Sequence, residues 1–287
     1  MYNPSPGRSD DDLHEAVGRL EHEFQRSDPP EHAATTPPQQ PVRTAVPQQA
    51  SRPRAWVVPA LLAINVIMYG ATVALSQVVG GQNPFGTALY LLGAKHNISI
   101  DAGEWWRLLT PTVLHGSLMH LLFNSYALYV LGTDVEYAFG VRRFLAIYVL
   151  AGLGGSMASY VFNPQSLSVG ASGAIFGLLG ALAARIFAAR SVLSREAVKM
   201  QFGQIGSLLA LNLFFGFTVP NIDNAAHIGG LIVGALVGLL LAPRYEVVQV
   251  YGASRVQRRE TGQLVWLLVI AVGVALVGGF IAIRSVV

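Results

Sequence analysis

Seven stretches of this chain are apolar enough to cross a lipid bilayer, which excludes most folds before any single residue is weighed. They run Trp56–Val79, Ser117 to about Glu136, Phe144–Phe162, Ala171–Ala189, about Ile205 to Val219, Ala225–Leu241 and Leu264–Ile283. About twenty residues rising 1.5 Å each match the roughly 30 Å hydrocarbon core. Inside lipid a backbone must satisfy its own hydrogen bonds, and segments of this length do so as helices. The composition agrees: 52% of residues are hydrophobic and only 12% charged, against about 25% charged in soluble domains. The expected fold is therefore an all-α polytopic membrane protein. The second stretch is the weakest of the seven, because it carries His120 and Asn124.

Residues 1–54 read differently. They are rich in Pro, Gln, Ser and charge, and cannot bury enough apolar surface to offset their ordering entropy. A disordered cytoplasmic tail is expected there, with a transient or partner-bound helix over Asp10–Gln25 whose Leu13, Val17, Leu20 and Phe24 share one face. His14, His22 and His32 read as solvated tail residues, since no tight His pair is present. A polar stretch of about fifty residues does not suggest a cleavable signal peptide. The remaining organisation expected is a six-helix core over 55–242, a basic cytoplasmic linker over 243–263, and a seventh helix with a short outer C-terminus over 264–287. The chain has no cysteine, so it holds no disulfide, no thiol nucleophile and no cysteine-ligated metal.

The basic residues suggest an orientation. With the N-terminus cytoplasmic and the spans alternating, 16 of the 19 Lys and Arg fall on cytoplasmic segments, as the positive-inside rule requires. Only Lys95, Arg107 and Arg284 lie outside. The long connection Gly80–Gly116, Ser172 and the loop before His227 then share the outer side.

Polar groups within the spans need an explanation, because each is costly there. His120 and Asn124, four residues apart, share a helix face, which would suit a metal, a packing contact or a pair of hydrogen-bond donors. The fourth span opens with Gly170-Ala171-Ser172-Gly173. By itself this reads first as a packing surface of small residues. It also puts a serine at a helix N-terminus, where unpaired N–H groups and a partial positive charge would stabilise an oxyanion. The sixth span opens with Asn224-Ala225-Ala226-His227 and continues with Gly230, Gly234 and Gly238. Gly173, Gly177 and Ala181 give the fourth span a matching smooth face. Two such faces would let the helices touch backbone to backbone and bring Ser172 to His227.

Together these residues resemble the rhomboid family of intramembrane serine proteases. The resemblance rests on Trp106-Arg107, on His115, His120 and Asn124 within HGSLMHLLFN, on Gly170-Ala171-Ser172-Gly173, and on Ala226-His227 with Gly230. It covers about Trp56 to Leu241 and implies a rhomboid-like six-helix core plus one C-terminal transmembrane helix. It further implies that Ser172 is the nucleophile and His227 the general base and acid of a dyad. His120, Asn124 and the Ser172 backbone N–H would hold the oxyanion, Gly170 would keep that pocket open, and Phe176 would place a ring against the histidine. His115 would be structural, and Trp106 and Arg107 would anchor the outer connection at the membrane edge. Asp223, four residues before His227, is weighed as a third member of the dyad and read instead as a loop carboxylate. The implied partners are transmembrane protein substrates and the lipid bilayer, with no nucleic acid, cofactor or metal. The implied location is a bacterial plasma membrane with the site open to the outer side, and a monomer is the default. The alternative is a catalytically inactive rhomboid-like protein that binds membrane clients. A transporter would show inverted repeats with interrupted helices in both halves, and a zinc protease a His-Glu-x-x-His motif; neither pattern is present.

Overall fold

The computed structural model describes residues 55–219, 222–250, 253–259 and 262–285. The tail, its helix over Asp10–Gln25 and His14, His22 and His32 lie outside the described residues. Helix α1 spans Val57–Ser76 and is followed by two short helices, α2 (Pro84–Leu91) and α3 (Asn97–Asp101), and two 3₁₀ turns, Trp105–Leu108 and Thr110–Val113. Then come α4 (Leu118–Ala127), α5 (Thr133–Phe139), α6 (Val141–Phe162), α7 (Ser172–Ala189), α8 (Arg195–Thr218), α9 (Asn224–Leu241), strands β1 (Arg244–Val250) and β2 (Ala253–Arg259), and α10 (Leu264–Arg284).

Among the described residues six helices are long and apolar enough to span a membrane: α1, α6, α7, α8, α9 and α10. The second expected span takes another form. Helix α4 runs through a π turn, Leu128–Gly132, into α5, so the segment is helical from 118 to 139 but interrupted. Its polar load of His120, Asn124, Asp134 and Glu136 sets it apart from its neighbours. Glu136 is 3% exposed and accepts the N–H groups of Trp56 at 2.9 Å, Val57 at 3.0 Å and Val58 at 3.0 Å. One buried carboxylate thus satisfies the opening turn of α1, whose N–H groups have no partner within that helix.

Helices α7 and α9 pack at the centre, with α6 against both. Glycine makes this approach possible. A Cβ on Gly230 would run into the Gly173 backbone, one on Gly234 into the Gly177 backbone, and one on Gly238 would stand 2.6 Å from Ala181 Cα. Small residues therefore serve close packing here, as the two glycine faces predicted.

Helix α8 starts about ten residues before the expected Ile205, because Ser194 caps it through the Ala197 N–H and Glu196 lies in the first turn. It packs inward mainly at Ile205, against Leu179 and Ile186, and leaves Phe214, Phe215 and Phe217 exposed. The expected linker after α9 folds into an antiparallel hairpin pairing Arg244 with Arg259 and Val247 with Val256. Its β-branched residues at 247, 248, 250 and 256 favour that conformation. Helix α10 buries Phe280 beside Ile100, Leu108 and Tyr160. Its Arg284 donates to the Asp101 carbonyl, and Arg284 Nε lies 3.5 Å from Asp101 Oδ1. The C-terminal end of α10 is thereby fastened to the long connection.

Candidate active site

Ser172 is the first residue of α7 and His227 sits in the first turn of α9. Their helices touch through Gly173 and Gly230, one residue after the serine and three after the histidine. The pair therefore faces across the closest point of the packing, with His227 Nε2 at 2.9 Å from Ser172 Oγ. His227 is buried and Ser172 half-buried. The Phe176 ring, one turn along α7 from the serine, stacks on the imidazole with centroids 4.2 Å apart and planes 9° from parallel. His227 Nδ1 has no hydrogen-bond partner among the described residues, so packing orients the ring. Nε2 can accept the serine proton only in the tautomer that keeps its own proton on Nδ1.

Gly170 borders the same space. Its φ of +130° lies in the left-handed region, and a Cβ there would be 2.7 Å from His120 Nε2 and 3.5 Å from Ser172 Oγ. Any side chain would be strained and would fill the gap between serine and His120. The Gly170 N–H donates to the Pro111 carbonyl at 2.9 Å, which fixes the loop on the second 3₁₀ turn. Asn124 is buried one turn beyond His120 and donates one N–H to the His120 carbonyl at 3.0 Å, leaving its second amide hydrogen for other use. His115 is fully buried and stands edge-on to His120, with centroids 5.2 Å apart. Burial, then the neighbouring His120, push the His115 imidazole down to about 4, so it stays neutral and packs.

Arg107 organises the long connection. It is buried, donates from Nη1 to the Tyr90 carbonyl at 2.7 Å and the Ala94 carbonyl at 2.9 Å, and pairs through Nε with Glu104 at 2.5 Å. Its neighbour Trp106 is exposed.

Asp223 is half-buried in the loop before α9, a loop carboxylate as read from the sequence, and no hydrogen bond joins its carboxylate to His227. It accepts from Ser159 Oγ, from Ser168 Oγ at 2.6 Å, from Asn163 Nδ2 at 2.7 Å and from the Ala226 N–H at 3.1 Å. Burial raises its pKa, but these four donors outweigh that and hold the carboxyl below its usual range. Lys95, counted in the sequence only as an outer charge, is fully buried. Burial pushes it down to about 8, against the raising pull of Asp223. Lys95 and Glu136 were the functional-looking groups that local spacing did not single out. The available signals were a lone lysine in the outer connection and a carboxylate at the end of a span.

A serine hydroxyl at hydrogen-bond distance from an imidazole nitrogen, beside donors and a helix N-terminus, is an arrangement suited to nucleophilic acyl transfer. Among the described residues no three His, Asp or Glu side chains are grouped as metal ligands.

Comparison with known proteins gives a consistent set of relatives. Residues 102–244 match the Rhomboid domain. The chain is 48% identical over 174 residues to Rhomboid protease GluP of Bacillus subtilis (strain 168), an alignment covering 60% of this chain and 32% of that protein. It is 34% identical over 221 residues to RHOMBOID-like protein 5 of Arabidopsis thaliana, covering 68% of this chain and 71% of the plant protein. RHOMBOID-like protein 7 of the same plant is 30% identical over 257 residues, with 79% and 80% covered. The chain thus spans about a third of the Bacillus protein's length and most of the two plant proteins.

Proposed function

This chain belongs to the rhomboid family, and from that premise we propose that it is an intramembrane serine endopeptidase working through a Ser172–His227 dyad. The observation that carries the reading is the 2.9 Å contact between Ser172 Oγ and His227 Nε2 across the α7–α9 packing, with Phe176 stacked on the ring.

Ser172 Oγ attacks the scissile carbonyl carbon while its proton passes to His227 Nε2. The carbonyl oxygen becomes an oxyanion, held by the Ser172 backbone N–H at the α7 N-terminus and by His120 and Asn124. The C–N bond then breaks, and His227 returns the proton to the leaving amine. A water deprotonated by His227 attacks the acyl-serine and releases the second product with Ser172 restored. Phe176 holds the imidazole flat, and its ring face favours the transient imidazolium, the role a carboxylate plays in triads. Gly170 keeps the space above the serine open to the oxyanion. Gly173 and Gly230 keep the two helices at bonding distance.

The substrates are transmembrane segments of other proteins, locally extended at the cleavage site because a helix hides its carbonyls. Substrates reach the dyad laterally, past α8. The protein sits in a bacterial plasma membrane with its N-terminus cytoplasmic and the site open to the outer side, following its positive-inside charge pattern. The test is cleavage of reporter transmembrane substrates by protein in liposomes, comparing wild type, Ser172→Ala and His227→Ala with EDTA present. Cleavage by the wild type alone, unaffected by EDTA, is expected. A folded wild type that cuts no member of a substrate panel would replace this reading with client binding.

A further inference from the structure

Three chain segments meet in one partly buried polar cluster. The first is the outer connection at Lys95. The second is the stretch from Asn163 to Ser168 that leads into Ser172. The third is Asp223, at the head of the helix that carries His227. Lys95 Nζ donates to the Asn163 carbonyl at 2.7 Å and reaches the Ser166 carbonyl at 3.3 Å. The Lys95 and Ser168 backbones bond each other in both directions, at 3.0 and 3.2 Å. Ser168 and Asn163 pass the connection on to the Asp223 carboxylate, as does Ser159 of α6.

The chemistry of Asp223 shows what the cluster does. A carboxylate is an acceptor only, with about four lone-pair sites, and all four incoming groups here are donors. One is the Ala226 N–H, which makes Asp223 the N-cap of α9; the His227 N–H returns to the Asp223 carbonyl at 3.2 Å. The same anion therefore fixes the turn bearing the histidine and the loop bearing the serine. The α7–α9 glycine contact sets how far apart the helices stand. It does not set how the first turn of α9 is rotated or slid along α7, and first turns are where helices fray. The four donors offset the burial of the Asp223 carboxylate, and Lys95, near enough to feel its charge, ties the serine loop to the outer connection.

We propose that Asp223 and Lys95 are positioning residues, which align the Ser172–His227 pair by clamping the serine loop and the histidine turn to the outer connection. Neither touches the reacting atoms. This inference rests on the proposed protease function for its kinetic readout, and its spectroscopic readout is independent of it.

The experiment uses the full chain in liposomes, as wild type, Asp223→Ala, Ser168→Ala and Lys95→Met. Reporter cleavage is normalised to active sites counted with a fluorophosphonate, and the side-chain NMR signals of His227 are recorded in ¹⁵N-histidine protein. A misplacement of about 1 Å costs on the order of 100-fold in turnover. Asp223→Ala is expected to lower kcat per titrated site by about that factor with KM within about threefold, and to shift or broaden the His227 signals. Lys95→Met should lose roughly tenfold in kcat in the same pattern. Should Asp223→Ala fail to fold, Ser168→Ala, which keeps the cap and removes one of the loop's two bonds to Asp223, takes its place with an expected loss of about tenfold. Wild-type kcat per titrated site in the folded variant, even with fewer active molecules, overturns the clamp and leaves it a stability element. If the wild type itself cuts nothing, the protease reading fails, and unchanged His227 signals in Asp223→Ala, or in Ser168→Ala in its place, still overturn the clamp.

Discussion

Gly230→Ala is the smallest change that should separate Ser172 from His227. A Cβ at this position would lie 2.7 Å from the Gly173 carbonyl carbon and 3.1 Å from Gly173 Cα, and would overlap the Gly173 carbonyl oxygen. Carbon atoms settle at about 3.5–4.0 Å, so α7 and α9 must part by roughly 1 Å at this level. The obstacle is backbone, and no rotamer change relieves it. Ser172 and His227 flank the contact, so their 2.9 Å separation would open to about 3.9 Å, beyond the 2.6–3.2 Å reach of a general base. Overpacking of this kind costs about 1–3 kcal/mol in stability. Loss of the positioned base costs about 100- to 10,000-fold in rate. The assay pairs reporter cleavage with fluorophosphonate labelling of Ser172, each normalised to folded protein from a thermal melt. Gly238→Ala stresses the same interface three turns from His227 and should lower the melting temperature with a smaller loss of rate. Gly278, with nothing within 4 Å of a Cβ, is the neutral control as Gly278→Ala. A folded Gly230→Ala protein that labels and cleaves at the wild-type rate would refute the argument that glycine contact sets the dyad distance.

Other perturbations test the surrounding structure. Glu136→Ala strips three N–H groups at the head of α1 of their acceptor and should cost at least about 2–4 kcal/mol; an unchanged melting temperature would show that the cap contributes nothing. Phe280→Ala should cost up to about 3–5 kcal/mol and loosen α10 from the outer connection, seen as faster hydrogen exchange in residues 97–108; unchanged exchange would count against the fastening. Small residues at Phe214, Phe215 and Phe217 should speed cleavage of a membrane-embedded substrate, and equal or slower cleavage would contradict access past α8. The Lys95 pKa falls from 10.5 to about 8 on folding, so below pH 8 both states carry the proton and stability is flat. Between pH 8 and 10.5 the folded state releases it first, and stability relative to Lys95→Met should rise with pH; a fall would reverse the sign of the burial effect.

Much of the fold was legible because lipid imposes one solution on each apolar run. The pairing of α7 with α9 was legible from glycines at every fourth position, and with it the meeting of Ser172 and His227. What local spacing conceals is the reach of a side chain. Glu136 reads as the end of a span, yet its partners lie 78 to 80 residues earlier. Lys95 looks like a solvent-facing charge until Asn163 and Ser166 close over it. Asp223 was weighed only by its distance from His227, whereas its other donors arrive from Ser159, Asn163 and Ser168, more than fifty residues before it. The π turn at Leu128–Gly132 left no mark in the hydropathy pattern, because inserting one residue into a turn changes no composition. The hairpin over 244–259 was hidden by its arginines, which read as a charged linker although Val247, Val248, Val250 and Val256 lie among them.

The central claim is that Ser172, activated by His227, is the group that attacks. The most direct measurement is intact-mass and peptide mapping of the protein after reaction with a fluorophosphonate in liposomes. A single adduct on Ser172, formed by the wild type and lost in both Ser172→Ala and His227→Ala, is the predicted result. An adduct on another residue, or an equal rate of Ser172 labelling without His227, would contradict it.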